Sequence, residues 1–94
     1  MKRVIKVTPT ALKDIQVGID YYNKQQKGLG IRFFETINNT MLKIQELPQS
    51  ASIAFDTVRY KVVGNYPYII TYEYDKDTIF ILRIFNTHQQ PESL

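Results

Sequence analysis

VRYKVVGNYPYIITYEYDKDTIFILRIF, residues 58–85, holds three strand-like runs in succession. They are rich in Ile, Val, Phe and Tyr, the side chains that suit a pleated surface. Gly64-Asn65 marks the first turn between them and Asp75-Lys76-Asp77 the second. Runs joined by turns this short are antiparallel neighbours. The rear of the chain therefore reads as a β-meander, and the rest is arranged against it.

Upstream, Lys2 to Val7 alternates in character and reads as a short strand. Thr8-Pro9 then starts a helix: the Thr8 hydroxyl caps free amides, and Pro9 suits the first helical position because it has no amide to leave unpaired. From Thr10 to Gln26, Leu12, Ile15, Ile19 and Tyr22 recur at spacings of 3, 4 and 3, one stripe of a 3.6-residue helix. Lys27 and Gly28 suit its C-terminus. A second helix spans about Gly30 to Leu47, with Phe33, Phe34, Ile37, Met41, Ile44 and Leu47 as its apolar stripe and Pro48 as its stop. The two form a hairpin about Gly28-Leu29-Gly30. Gln49 to Ser52 is a polar connector, Ile53-Ala-Phe55 a short strand and Asp56-Thr57 a turn. His88 to Leu94 reads as an irregular tail.

The expected fold is thus a single α+β domain, residues 1–94, with a helix hairpin packed on one face of a mainly antiparallel sheet in the order β-α-α-β-β-β(-β). Two helices cover one face only. Yet both parities of the last run are apolar: Ile79, Ile81 and Phe85 on one, Phe80, Leu82 and Ile84 on the other. Either a partner covers the remaining face, or the last strand is central and the chain's own tail covers it.

Composition narrows the function classes. A hydrophobic content of 44% excludes a disordered chain. The absence of cysteine excludes disulfides and thiolate metal sites, and in so small a domain it favours a cytoplasmic setting. The N-terminal residues lack the apolar core of a signal peptide, and no run suits a membrane helix. The net charge of +3 is compatible with a nucleic-acid partner without requiring one. Gly28-Leu-Gly30 does not complete a dinucleotide-binding fingerprint, because position 33 is Phe; helix capping accounts for these glycines, and no cofactor is expected. The single histidine, His88, lacks the clustered carboxylates of a metal site. It has the ordinary pKa of a general acid or base, and it equally reads as an exposed tail residue. Arg59 and Lys61 lie two apart on one strand and share a face. Arg83 interrupts an apolar strand, so it sits at a rim, pairs with a carboxylate or lines a concave site. Arg59, Lys61, Arg83 and His88 read either as a cationic surface for phosphates or as an ordinary mixed-charge face.

The order of elements, with VRYKVVGNYPYIITYEY (residues 58–74) and ILRIFNTHQQP (residues 81–91), resembles the RelE/ParE superfamily of bacterial type II toxin–antitoxin toxins, also called plasmid stabilisation proteins. The resemblance spans nearly the whole chain. It implies a cytoplasmic toxin held inactive by a cognate antitoxin that wraps it, with a helix along the hairpin and a strand at the sheet edge. It also implies one of two targets. ParE-like members inhibit DNA gyrase by binding. RelE-like members cut mRNA on the ribosome without metal, using basic residues around the scissile phosphate. Arg59 and Lys61 match the paired basic residues of the nuclease branch, and His88 is placed to take over proton transfer. Ile69 and Gln89 stand where that branch carries arginines, which removes electrostatic stabilisation from metal-free phosphoryl chemistry. The gyrase-type reading therefore leads, the endoribonuclease reading is its alternative, and a non-toxic protein-binding member is the third. Under the nuclease reading the catalytic residues are Arg59, Lys61 and His88. Arg83, Tyr68, Tyr72 and Gln89 are the expected target or antitoxin surface.

Overall fold

The computed structural model describes residues 2–88. Five strands, β1 (Val4–Val7), β2 (Ser52–Phe55), β3 (Val58–Val62), β4 (Tyr68–Tyr74) and β5 (Thr78–Asn86), form one sheet in the order β1-β5-β4-β3-β2. Two helices, α1 (Pro9–Gln25) and α2 (Leu29–Glu46), separate β1 from the rest. The expected mainly antiparallel meander is present from β2 to β5. β1 completes a mixed sheet by pairing parallel to β5. That pairing follows from the hairpin, which supplies the crossover a parallel neighbour requires.

α1 begins as its sequence dictates. Thr8 caps it, the hydroxyl accepting from the Ala11 amide at 3.1 Å, and Pro9 follows at the first helical position. The same hydroxyl donates to the Leu82 carbonyl of β5 at 2.9 Å, and the Thr8 amide donates to the Ile81 carbonyl. The link between helices differs from the expected C-cap. Gln26 closes α1 by donating its amide to the Tyr22 carbonyl. Gly28, with φ of 94°, instead precedes α2, in a region open to glycine at little cost. The side chain of Asn23 accepts the Gly30 amide at 2.9 Å and ties the two helix ends together.

The core lies between the hairpin and one face of the sheet. Ala11, Ile15, Phe33, Ile37, Met41 and Ile44 meet Tyr68, Ile70, Tyr72, Ile79, Ile81 and Ile84 there, with Ile5 and Val7 packed at its margin. The helical stripes are rotated from the expected ones. Leu12 (56% exposed), Phe34 (41%) and Leu47 leave the core, while Ala11, Gly18, Gly30 and Thr40 enter it. The cause is the helix crossing. A Cβ at Gly18 would stand 2.4 Å from the Phe33 ring, so the two helices meet at a glycine and an aromatic rather than at two large aliphatic residues.

A β-bulge in β5 explains its doubly apolar pattern. Tyr72 lies opposite Ile81 and Thr71 opposite Arg83, leaving Leu82 as the extra residue. Ile79 and Ile81 before it, and Ile84 after it, all face the helices. Phe80 and Val62, on the opposite side, are exposed, whereas Phe85 there is buried. The expected irregular tail beyond His88 lies outside the described residues.

β5 outruns β1, whose last partner is Ile81. Asp14 of α1 serves the bare edge: its Oδ2 accepts the Ile84 amide at 3.0 Å and Arg83 Nε at 2.8 Å, and its Oδ1 accepts Arg83 Nη2 at 3.2 Å. Replacing Asp14 by Ala is expected to cost about 1–3 kcal/mol, because it strands an edge amide and breaks a partly buried ion pair. Asp14→Asn, which keeps an acceptor for the amide, is expected to cost less. Urea unfolding of the two variants checks the order, and equal losses would contradict the role given to the Ile84 amide.

Candidate functional site

The cations that sequence reasoning grouped fall into three different settings. Arg59 lies opposite Tyr72, and Lys61 opposite Ile70, so both point to the helix side of the sheet. The helices do not reach over β3 there. Instead the short 3-10 turn Pro48–Ser50 and Ala51 lie beside Arg59, whose Nη1 donates to the carbonyls of Gln49 (3.1 Å) and Ala51 (2.7 Å). Arg83 belongs to the opposite parity and is tied to Asp14. The hydrogen bonds it donates to the Asp14 carboxylate hold its guanidinium more firmly protonated than an ordinary arginine.

His88 lies elsewhere again. Its row is set by Tyr68, opposite Asn86 at the far end of β5. Asn86 stands five residues beyond Ile81, which shares a row with Tyr72 and Arg59, so strand geometry separates the rows by roughly 15 Å. His88 lines an open cleft of about 590 Å³ with Val17, Tyr21, Tyr22, Tyr68 and Asn86. Its amide donates to the Asn86 side chain at 2.9 Å. Arg59 and Lys61 are thus brought together, and Arg83 and His88 are not brought to them. Gln89 lies outside the described residues. Among the described residues there is no group of three His, Cys, Asp or Glu placed to hold a metal ion.

The two tyrosines of the expected surface are interior. Tyr72 is fully buried, and its hydroxyl donates to the Pro48 carbonyl at 2.6 Å, fastening the turn after α2 to the sheet. Tyr68 is buried within a ring cluster: Phe33 lies 5.0 Å from it, 5.1 Å from Tyr22 and 5.3 Å from Tyr66, centroid to centroid. Sequence parity located both tyrosines on one sheet face but not which face the hairpin covers.

The resemblance implied a partner helix along the hairpin, but the sequence reading did not single out the residues of its outward side. Ile19, Asn23, Lys27, Gly28, Gly30, Ile31 and Phe34 line a groove of about 620 Å³ between the two helices. Ile31 is 62% exposed. Leu12, two turns before Ile19, and Leu42, just over two turns after Phe34, extend the exposed apolar side. The available signal was the surplus: Ile31 and Leu42 fall outside the apolar stripe of α2, which a two-layer fold leaves unused.

Residues 5–91 match the family described as the ParE toxin of type II toxin–antitoxin systems, parDE. The chain belongs to the ParE toxin family. It is the toxin component of a type II toxin–antitoxin system. No curated protein matches it by sequence. Among solved structures, a chain of the chromosomal ParDE toxin–antitoxin system from P. aeruginosa superposes with a TM-score of 0.80 at 20% identity, covering 89% of this chain and 95% of that one. At that identity the likeness speaks for the fold: two helices on a five-stranded mixed sheet. No helix of this ParE-family chain is long and apolar enough to cross a membrane among the described residues.

The ParE core binds its tyrosines in their neutral form. Burial pushes the hydroxyls of Tyr22, Tyr68 and Tyr72 above the ordinary tyrosine value; a hydrogen bond with Asn86 opposes this at Tyr68, and the charge of Arg59 opposes it at Tyr72. A folded-state pKa above the unfolded one stabilises the protein below the unfolded value, near 10, and that stability is lost as pH rises through the folded values. Absorbance titration of the seven tyrosines is therefore expected to be biphasic. The late phase should coincide with loss of circular dichroism and shrink in Tyr72→Phe. A single phase near pH 10 in the folded protein would contradict this burial.

Proposed function

We propose that this ParE-family toxin arrests growth by binding DNA gyrase, and that a cognate antitoxin neutralises it by seating an amphipathic helix in the groove between α1 and α2. Growth arrest places its action in the cytoplasm. The observation that carries the binding reading is the dispersal of the cationic groups. Metal-free phosphoryl transfer needs a proton acceptor beside a phosphate clamp, with charge stabilisation aimed at one point. Here Arg59 is anchored to backbone carbonyls, Arg83 is bound to Asp14, and His88 is in a separate cleft. The ribosome-dependent endoribonuclease remains the second reading on one specific observation, the shared face of Arg59 and Lys61.

Ile19, Ile31 and Phe34 supply the contiguous apolar surface that an antitoxin helix requires, with apolar residues at i, i+3, i+4 and i+7. The cationic Lys27 at its rim favours acidic residues on the flank of that helix. Expression of the chain alone is expected to stop growth and induce the DNA-damage response. Co-expression of the antitoxin from the adjacent reading frame should relieve the arrest. Ile19→Glu and Phe34→Glu should keep toxicity while weakening antitoxin binding on the order of 100-fold or more, as loss of apolar anchors at an interface centre does. Arrest without DNA damage, accompanied by codon-positioned mRNA cuts, would replace the gyrase reading with the nuclease one. Undiminished antitoxin binding by both groove variants would remove the assignment of the groove.

A further inference from the structure

Among the described residues that line the groove between α1 and α2, Asn23 and Lys27 alone carry polar side chains; Ile19, Ile31 and Phe34 supply its apolar surface. The orientation of the Asn23 amide is fixed by its neighbour. Its Oδ1 accepts the Gly30 amide at 2.9 Å. A backbone N–H only donates, so the oxygen is the atom turned to Gly30, and the two N–H groups of Nδ2 are left to find acceptors elsewhere. Gly30 makes room for this contact: a Cβ there would stand 2.6 Å from Nδ2 and 2.7 Å from Oδ1. Among the described residues, no group accepts from Nδ2 and no carboxylate pairs with Lys27. The groove thus offers one neutral donor and one cationic donor, and its side chains offer no unused acceptor.

Covering such a groove carries a chemical condition. A helix that laid only aliphatic side chains over Asn23 would strip water from Nδ2 and return nothing, and a donor left unpaired is costly once buried. We propose that Asn23 is a specificity-determining residue of the groove: with Lys27, it selects an antitoxin helix that brings an Asp or Glu carboxylate against the Asn23 Nδ2. A carboxylate suits both groups, since it only accepts and carries the charge complementary to Lys27. Ile19 lies one turn before Asn23 on α1, so the two are neighbours on the helix surface. The selected helix therefore carries its acidic residue about three or four positions from an apolar anchor. Exclusion works alongside attraction, because a helix with Lys or Arg at that position meets two donors and no acceptor. This selection rests on the seating of an antitoxin helix in the groove.

Calorimetric titration of the chain with the antitoxin from the adjacent reading frame tests the selection. Asn23→Asp keeps an oxygen for the Gly30 amide and replaces the donor by a second acceptor, so it should weaken binding on the order of tenfold or more. Lys24→Gln, which removes a charge at the same end of α1 outside the groove, should change it by less than about twofold. Thermal melts establish that both variants are folded. In the antitoxin, the acidic residues of the helix are replaced singly by their amides, Asp by Asn and Glu by Gln. One of these should restore binding to Asn23→Asp to within about threefold of the unsubstituted pair, because the new amide donates to the new carboxylate. An Asn23 that served only the Gly30 amide would give no such rescue. Lysine at that same antitoxin position should weaken binding to the unsubstituted chain on the order of tenfold or more, a measurement that needs no toxin variant. Binding of Asn23→Asp within about twofold of the unsubstituted chain, or a loss that no amide restores, would overturn the selection, while weakened binding by Phe34→Glu would still uphold the groove. Undiminished binding by Phe34→Glu would remove the groove and the selection together.

Discussion

The edge of β5 beyond Ile81 is the constraint on which the rest of the molecule depends. A strand flanked by a short parallel neighbour leaves backbone groups without ladder partners, and buried groups of this kind are costly when unpaired. α1 supplies the partners. Thr8 joins its own helix cap to the Leu82 carbonyl, and Asp14, two turns on, accepts the Ile84 amide and the Arg83 guanidinium. These contacts fix both the height and the rotation of α1 over the sheet. With α1 set, Gly18 presents its bare backbone to the Phe33 ring, which sets the rotation of α2. The rotation in turn determines which apolar residues go inward and which remain outside. The outer groove at Ile19, Ile31 and Phe34 is thus a consequence of two polar anchors on the far side of α1.

The same anchors bear on the chemistry. An arginine in an apolar strand was open to three readings, and the structure selects the carboxylate pair. That pairing removes Arg83 from any shared cationic surface with Arg59. It also places the two on opposite parities of the sheet. The molecule keeps its positive groups apart, while its apolar groove is continuous. Such an arrangement favours recognition of protein partners over a concentrated reactive centre.

Much of the fold was legible because its signals are local. Thr8-Pro9, the alternation through Tyr68–Tyr74 and the Asp75-Lys76-Asp77 turn each specify backbone geometry within a few residues. The strand order and the parallel direction of β1 depend on contacts more than 70 residues apart, such as that of Thr8 with Leu82, and no local pattern encodes them. The bulge at Leu82 likewise hid in the sequence, because an extra residue in an apolar run leaves the run apolar while exchanging its faces. The candidate site was less legible for a related reason. Spacing put Arg59 with Lys61, which share a strand, but whether His88 or Arg83 joins them depends on sheet register and on Asp14. The outward turn of Leu12 and Phe34 is a matter of some tens of degrees in helix rotation, finer than a stripe of four or six apolar residues defines.

The central claim is that this toxin acts by binding gyrase, with its dispersed cations taking no part in bond cleavage. Supercoiling of relaxed plasmid by purified gyrase, with increasing amounts of this protein and of its His88→Ala variant, tests it most directly. The account predicts dose-dependent inhibition of supercoiling, with the half-inhibitory amount of His88→Ala within about threefold of the unsubstituted chain, a margin of less than 1 kcal/mol. Unimpaired supercoiling at a large molar excess of folded protein would contradict it.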